Sequence, residues 1–438
     1  MIRLFWVNDA MLHYFVKRSF RLIAPGILGA VMVWAGAAAA MTSQQLFARY
    51  GDRVLQVRIL DRSTELKAGF GSGFVVSKNG LVATNYHVVA EMVMEPEEFH
   101  AEFHYQDGRS GPLELVAVDV VNDLALLKSG GLKTEPLELS SEALSQGVAV
   151  YALGNPFDLG LTIVEGTYNG YQEKSLYDRI HFTGSINPGM SGGPALDSAG
   201  KVIGVNVATA GNQVSFLVPA VKLKNLLAAS SSEAQQEQPL GAIRKQLLAN
   251  QQRTYEGLLA EPFQRMALGA YTLPGELANY IHCWGHSRKE DEALYELSFQ
   301  TCTTQDQLYL SEGLSVGEIA FRHELYQSTG LDRFRFYNLL ERRAQRAAFG
   351  FGGDEEDMSR FSCTSELLDQ GDFTLKVSVC MRGYKRFPEL YDVYLSGFTV
   401  HEPHQAMRTS LSLTGVSYVY ASDFIDRYLE GVTWQPKP

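Results

Sequence analysis

The chain has 438 residues, more than one ordinary domain, so two or three are expected. Hydrophobic residues at 45% with charged residues at 20% describe globular domains with real cores and exclude a disordered chain. A net charge of -11 argues against nucleic acid as the main partner.

Lys17, Arg18 and Arg21 precede an apolar run from Leu22 to Ala40, which closes on Ala37-Ala38-Ala39-Ala40. That is the order of a secretory signal over residues 1–40, with cleavage expected after Ala40. The competing reading is an uncleaved membrane anchor, because a helix of this length would span about 28 Å. Pro25, Gly26, Gly29, Gly36 and the alanine end favour cleavage. Translation from Met1 or from Met11 stays open. On either start the rest of the chain is expected to be periplasmic or secreted, where disulfides persist.

Met41 to Arg49 reads as a short helix. Val54–Leu60 alternates as a strand, and Gly69–Val76 and Leu81–Asn85 flank an Asn79-Gly80 pair, a strong hairpin signal. Short strands with frequent turns continue through Phe99–Tyr105, Leu113–Val120, Leu124–Lys128, Ala149–Leu153, Leu161–Asn169, Ile180–Thr183, Lys201–Ala208 and Gln213–Val218. Beyond the first helix no helical period appears before Ala220. The region reads as all-β, in barrels or sandwiches.

Within it, Ile186-Asn187-Pro188-Gly189-Met190-Ser191-Gly192-Gly193-Pro194 places a serine among three glycines and two prolines. Such a segment folds as a tight loop, and the amides of Gly189 and Ser191 can converge on one point. Acyl transfer needs that pairing of a nucleophile with two donors for the developing oxyanion. His87 and Asp123 lie upstream, each at a strand boundary, and the order His, Asp, Ser is one known solution for a triad.

These motifs carry a resemblance. Residues from about 50 to 228 are similar to the trypsin-like serine proteases, most of all the Do-like (high-temperature-requirement) branch. The matching pieces are Gly71-Ser72-Gly73-Phe74-Val75, Thr84-Asn85-Tyr86-His87-Val88-Val89, Asp123-Leu124-Ala125-Leu126-Leu127, Gly154-Asn155-Pro156-Phe157, the serine loop, and Ser215-Phe216-Leu217-Val218-Pro219. The resemblance implies a double six-stranded β-barrel over residues 41–228, with His87 and Asp123 in the first barrel and Ser191 in the second. His87 would take the proton of Ser191 and return it to the leaving amine, while Asp123 fixes the imidazole tautomer. Asp119 is a rival for the acid, disfavoured because Asp123 fits the motif. The backbone N–H groups of Gly189 and Ser191 would form the oxyanion hole.

Two residues depart from the family pattern. Met190 stands where asparagine or aspartate is usual, and Thr183 where Do-like proteases commonly carry an aspartate. Ser185 falls at the base of the family's P1 pocket. A small neutral residue there favours apolar over Arg or Lys side chains.

Residues 229–268 read as a polar linker followed by an amphipathic packing helix marked by Leu240, Ile243, Leu247, Tyr255 and Leu258, ending near Pro262. No PDZ-like pattern follows. Residues 269–438 read as an α+β region with an imperfect duplication, in which each cysteine pair precedes a helical stretch, Leu331–Arg346 and Ser422–Glu430. Gly350–Asp357 would join the halves, its acids forming a solvated turn and not a calcium loop. His282-Cys283-Trp284-Gly285-His286 hints at zinc, but cysteines in an exported region read as disulfides. Four cysteines allow three connectivities, and hairpins of this spacing lead to the expectation of Cys283–Cys302 and Cys363–Cys380.

The sequence thus describes an exported serine endopeptidase acting on protein or peptide substrates. It implies no metal, no cofactor and no nucleic-acid partner, and a membrane contact only through an uncleaved N-terminus. The alternative is a protease-fold binding or regulatory module without turnover.

Overall fold

The computed structural model describes residues 40–209, 211, 213–231, 238–289, 294–345 and 350–435. Residues 1–39 of the signal-like segment, and 232–237 of the polar linker, lie outside the described residues.

Helix α1 (Ser43–Tyr50) starts on a capping box formed by Thr42 and Gln45. Strands β1 (Val54–Asp61), β2 (Lys67–Val75) and β3 (Leu81–Thr84) lead into helix α2 (Tyr86–Met94). Strands β4 (Phe99–His104), β5 (Ser110–Asp119) and β6 (Leu124–Lys128) then close a barrel in the order β1-β2-β3-β6-β5-β4. Gly80 sits in the β2–β3 turn at φ +82°, where a Cβ would lie 2.1 Å from the Ser129 carbonyl. Strands β7 (Ala149–Gly154), β8 (Thr162–Tyr171), β9 (Ile180–Phe182), β10 (Pro194–Leu196), β11 (Val202–Thr209) and β12 (Ser215–Pro219) close the second, in the order β10-β11-β12-β9-β8-β7. Phe74 and Leu126 of the first barrel share a core with Leu153, Leu196 and Val205 of the second. The expected double six-stranded barrel is present.

Helix α2 corrects the reading of an unbroken β region. Seven of its residues are buried: Tyr86, Val88, Val89, Ala90, Met92, Val93 and Met94. With only His87 and Glu91 left partly open, the nine-residue helix is apolar almost all round and carries little amphipathic period to detect. Its outer cover comes from the C-terminal half of the chain.

Helix α3 (Ala220–Ser230) closes the second barrel region, and helix α4 (Pro239–Ala260) follows. Helix α4 buries Ile243 and Leu247 in the core of the first barrel, and Tyr255 and Leu258 in the C-terminal core. Its Gln246 side chain accepts from Val120 N–H (2.8 Å) and donates to the Val118 carbonyl (2.7 Å), satisfying backbone groups where β5 ends. Within the segment expected as linker and helix, α4 is therefore packed against both halves.

The C-terminal half contains β13 (Arg265–Leu268), β14 (Tyr271–Pro274), β15 (Ile281–Lys289), β16 (Tyr295–Thr304), β17 (Leu308–Ser311), β18 (Leu314–Val316) and β19 (Ile319–Ser328). Helix α5 (Arg333–Gln345), β20 (Ser362–Asp369), β21 (Thr374–Gly383), β22 (Leu390–Thr399), β23 (Gln405–Ser417), helix α6 (Tyr418–Glu430) and β24 (Thr433–Trp434) complete it. Seven strands form one antiparallel sheet, β15-β16-β19-β23-β22-β21-β20. The sheet is symmetric about β23: two cysteine hairpins occupy its edges, and β19 and β22 flank the centre. Cys283 is bonded to Cys302 and Cys363 to Cys380, each pair directly opposed in register. Register carries Cys302 to the side of Phe321, Leu411, Leu395 and Val379, whereas Cys380 faces the other side. Bridges on opposite faces are what rotation about the central strand produces. Helix α6 packs Phe424 and Tyr428 on the face of Phe321, and α5 packs Phe336 and Leu340 against Tyr326 on the other.

Candidate active site

His87 is the second residue of α2, immediately after β3, and Asp123 lies in the β5–β6 turn. Asp123 has φ +58°, the left-handed region that aspartate tolerates better than most residues. That conformation turns its carboxylate toward α2. One oxygen accepts the His87 backbone N–H at 2.9 Å, and the other accepts the ring Nδ1–H at 2.7 Å. Asn85 Nδ2 donates to the Asp123 carbonyl at 2.7 Å and fixes the turn from behind. Burial lowers the pKa of the His87 imidazole, but the charge of Asp123 and its hydrogen bond raise it, and the net shift is upward. Asp119 is used elsewhere, accepting from Asn122 N–H and Nδ2 at 3.0 and 2.7 Å.

Ser191 sits in the loop between β9 and β10. Asn187-Pro188-Gly189-Met190 is a β-turn with Pro at its second position and Gly at its third, closed by Met190 N–H on the Asn187 carbonyl (3.0 Å). Gly189 has φ +93°, as a type II turn requires, and a Cβ there would lie 2.4 Å from the Asn155 carbonyl. Met190 therefore spends its amide on the turn and its side chain in the core of the second barrel, with Val150, Ile186 and Ala195. The amides of Gly189 and Ser191 donate to no protein acceptor among the described residues.

Three residues outside the expected triad hold this loop. Buried Ser72 donates its hydroxyl to the Gly189 carbonyl (2.7 Å) and accepts Asn155 N–H (2.9 Å), while Ser72 N–H donates to the Ser191 carbonyl (2.8 Å). Asn206 Nδ2 donates to the carbonyls of Leu153 (2.9 Å) and Met190 (3.2 Å). Phe157 N–H donates to the Pro188 carbonyl at 2.9 Å. Ser72 and Phe157 lie in motifs that the sequence singled out, so their location was visible although their bonds were not. A fourth residue, Tyr309 of β17, stands edge-on to His87 with ring centroids 6.2 Å apart, and no local signal marked it.

Ser191 Oγ donates to the Val207 carbonyl at 3.3 Å and makes no hydrogen bond with His87 Nε2. Thr183 extends the pairing with β8: its hydroxyl accepts Thr167 N–H at 2.8 Å, and its own N–H donates to the Thr167 carbonyl at 3.2 Å. Ser185 is exposed in the same connection as the Ser191 loop. Residues 210 and 212, past β11, lie outside the described residues. Among the described residues no cluster of three or more His, Cys, Asp or Glu is placed to hold a metal ion. His282 donates to the Lys174 carbonyl at 3.2 Å, and Cys283 is taken by its disulfide. No described helix is long and apolar enough to cross a membrane.

Residues 71–205 match the family model of the trypsin-like peptidase domain. A probable periplasmic serine endoprotease DegP-like of Chlamydia trachomatis is 34% identical over 176 residues, covering 38% of this chain and 34% of that protein. Serine protease HTRA1 of Xenopus tropicalis is likewise 34% identical over 176 residues, covering 38% and 37%. Among solved structures, the serine endoprotease from Yersinia pestis aligns with a TM-score of 0.38 and 25% identity, over 44% of this chain and 67% of that one. The chain spans about a third of the length of the curated relatives it matches. Family match, relatives and barrel topology agree in likening this double barrel to the trypsin-like peptidase domains of DegP-like and HTRA1 serine proteases.

Proposed function

We propose that the chain is an exported serine endopeptidase that cleaves protein or peptide substrates through an acyl-enzyme on Ser191. The observation that carries this reading is the two-point hold of Asp123 on His87, beside a serine loop with two unpartnered amides. A serine hydroxyl is not ionised at neutral pH, so His87 Nε2 takes its proton during attack on the scissile carbonyl. For that transfer Ser191 Oγ leaves the Val207 carbonyl, to which it donates at 3.3 Å, for Nε2. The imidazolium is stabilised by Asp123, which keeps Nδ1 protonated and Nε2 basic. The tetrahedral oxyanion is received by Gly189 N–H and Ser191 N–H, each donor contributing about 3 kcal/mol to the barrier reduction. His87 then returns the proton to the leaving amine, and water repeats the sequence on the ester.

Nucleophile, base and anion donors all come from the chain, so the chemistry requires no added group. The uncharged Ser185 supports a preference for apolar P1 side chains. Export is supported by the basic-then-apolar order of residues 1–40.

A second reading, a protease-fold binding module without turnover, draws on the Ser191 Oγ bond to Val207. The open amides of Gly189 and Ser191 favour the first. Cleavage of an unfolded casein-type substrate, with the cut sites read by mass spectrometry, decides between them. The wild type is expected to cleave, and Ser191→Ala to lose several decades of rate while staying folded. Equal turnover by Ser191→Ala removes the assignment.

A further inference from the structure

The donor most easily lost from this site is Gly189 N–H. It belongs to the Pro188–Gly189 peptide, and glycine's freedom in φ and ψ lets that peptide turn over with little steric resistance. Turned over, it would present a carbonyl where the oxyanion needs a donor. In a planar trans peptide the C=O and N–H point in opposite directions. Phe157 N–H, bonded to the Pro188 carbonyl at 2.9 Å, therefore keeps Gly189 N–H pointing the other way, where it meets no protein acceptor.

The Phe157 amide is itself held at a backbone cost. Phe157 and Asp158 have φ of +50° and +61°, a left-handed pair of non-glycine residues, each costing on the order of 1–2 kcal/mol. Their main-chain geometry needs an external hold, and it comes from the other barrel. The Asp158 carboxylate accepts Gln56 Nε2 at 2.7 Å on one oxygen and Lys67 Nζ on the other, and Arg58 Nη2 lies 3.7 Å away. Arg58 Nε in turn donates to Gln56 Oε1 and orients that amide. Gln56 and Arg58 are on β1 and Lys67 on β2, whereas Asp158 lies on the β7–β8 connection.

Resting on the endopeptidase reading, we propose that Asp158 is a positioning residue, clamped by Lys67, Gln56 and Arg58, which keeps the Pro188–Gly189 peptide in the donor orientation of the oxyanion hole. The clamp ties the strands of the first barrel to the anion site of the second, so the hole is complete only when the barrels are correctly docked. An ordinary half-exposed ion pair would add at most about 1 kcal/mol of stability and leave catalysis untouched. The clamp predicts a different pattern.

Asp158→Ala is expected to lower kcat on the order of 10- to 100-fold with little change in KM, because the donor matters in the transition state. Affinity for a peptide boronic acid, whose tetrahedral adduct fills the hole, is expected to fall in step with kcat/KM. The acid limb of the pH profile, set by His87, stays in place, which separates this effect from damage to the triad. Lys67→Met is expected to give a smaller loss, and the double variant to be no worse than Asp158→Ala. A crystal structure of Asp158→Ala supplies the arm independent of turnover. The Pro188 carbonyl is expected to have left Phe157 N–H. Retention of that bond, or a kcat/KM within twofold of an active wild type, overturns the proposal and leaves the triad reading standing. A wild type that neither cleaves casein nor binds the boronic acid sinks both.

Discussion

The hydroxyl of Tyr86 donates to the Leu310 carbonyl at 2.9 Å, joining residues 224 positions apart in sequence. Tyr86 precedes His87, and Leu310 lies in the β17–β18 hairpin, so the C-terminal half grips the helix that carries His87. The same hairpin places Tyr309 against His87 and offers Glu312 N–H to Glu91 at 3.4 Å. At the far end of α2, Arg386 donates to the Met94 carbonyl at 2.7 Å and pairs with Glu95, as a cation at a helix C-terminus should.

A chain ending at Ser231 should therefore fail as a protease. It would uncover the hairpin face of α2 and the α4 seat, and each large apolar side chain so exposed costs about 1.5–3 kcal/mol. Two or three of these consume much of a typical stability of about 5–15 kcal/mol. Thermal unfolding of the truncated chain is expected to lose its cooperative transition. A cooperative, catalytically active fragment would show that the two halves are independent.

The pH dependence of peptide cleavage follows from His87. Its base form is neutral, and Asp123 raises its pKa, so activity should fall with acid through a value above the ordinary 6.5. Asp123→Asn removes both raising causes and leaves burial, so the limb should move to lower pH while kcat drops by about four decades. The pair's contribution to stability has the matching sign. It is fully present below the unfolded pKa and is lost as pH rises through the raised folded value. A rate flat from pH 5 to 9, with chemistry limiting, contradicts the role of His87.

A second histidine carries the opposite sign. His323 is buried in the C-terminal core, donating from Nε2 to the Pro274 carbonyl (2.9 Å) and accepting the Thr409 hydroxyl at Nδ1 (2.9 Å). Burial lowers its pKa from 6.5 to about 4, against the raising effect of the Pro274 bond. The folded state holds it neutral while the unfolded state binds the proton, so stability should fall as pH drops from about 6.5 toward 4, by roughly 3 kcal/mol. Melting curves at pH 7 and pH 4.5 should diverge in the wild type and converge in His323→Gln. An unchanged acid shift in that variant would assign the effect to other groups.

The disulfides staple the edge strands β15 and β20 and lie outside the barrels. Closing loops of this size contributes roughly 3 kcal/mol each in the chain-entropy model. Reductant is expected to lower the melting temperature and to leave Ser191 reactive until the C-terminal half unfolds. Non-reducing peptide mapping that joins Cys283 or Cys302 to Cys363 or Cys380 would contradict the pairing.

Legibility in the sequence followed the range of the interactions. The strand-end positions of His87 and Asp123 and the tight loop around Ser191 were readable because each has its own local glycine, proline or polar signature. The cysteine hairpins were readable because each pairing is set by one turn. Helix α2 was not, since burial of seven of its nine residues left little period to read. Tyr309 and Gln246 were not, because each acts on a partner more than a hundred positions away. The loop holders Ser72 and Phe157 fell between these cases, visible as motif members but silent about which carbonyl they bind.

The central claim, that Ser191 is a nucleophile activated by His87, is tested most directly by fluorophosphonate labelling of the mature protein with the adduct located by peptide mass spectrometry. A single adduct on Ser191 is expected, formed several decades more slowly in His87→Ala. No adduct, or labelling at Ser191 that proceeds equally fast without His87, contradicts it.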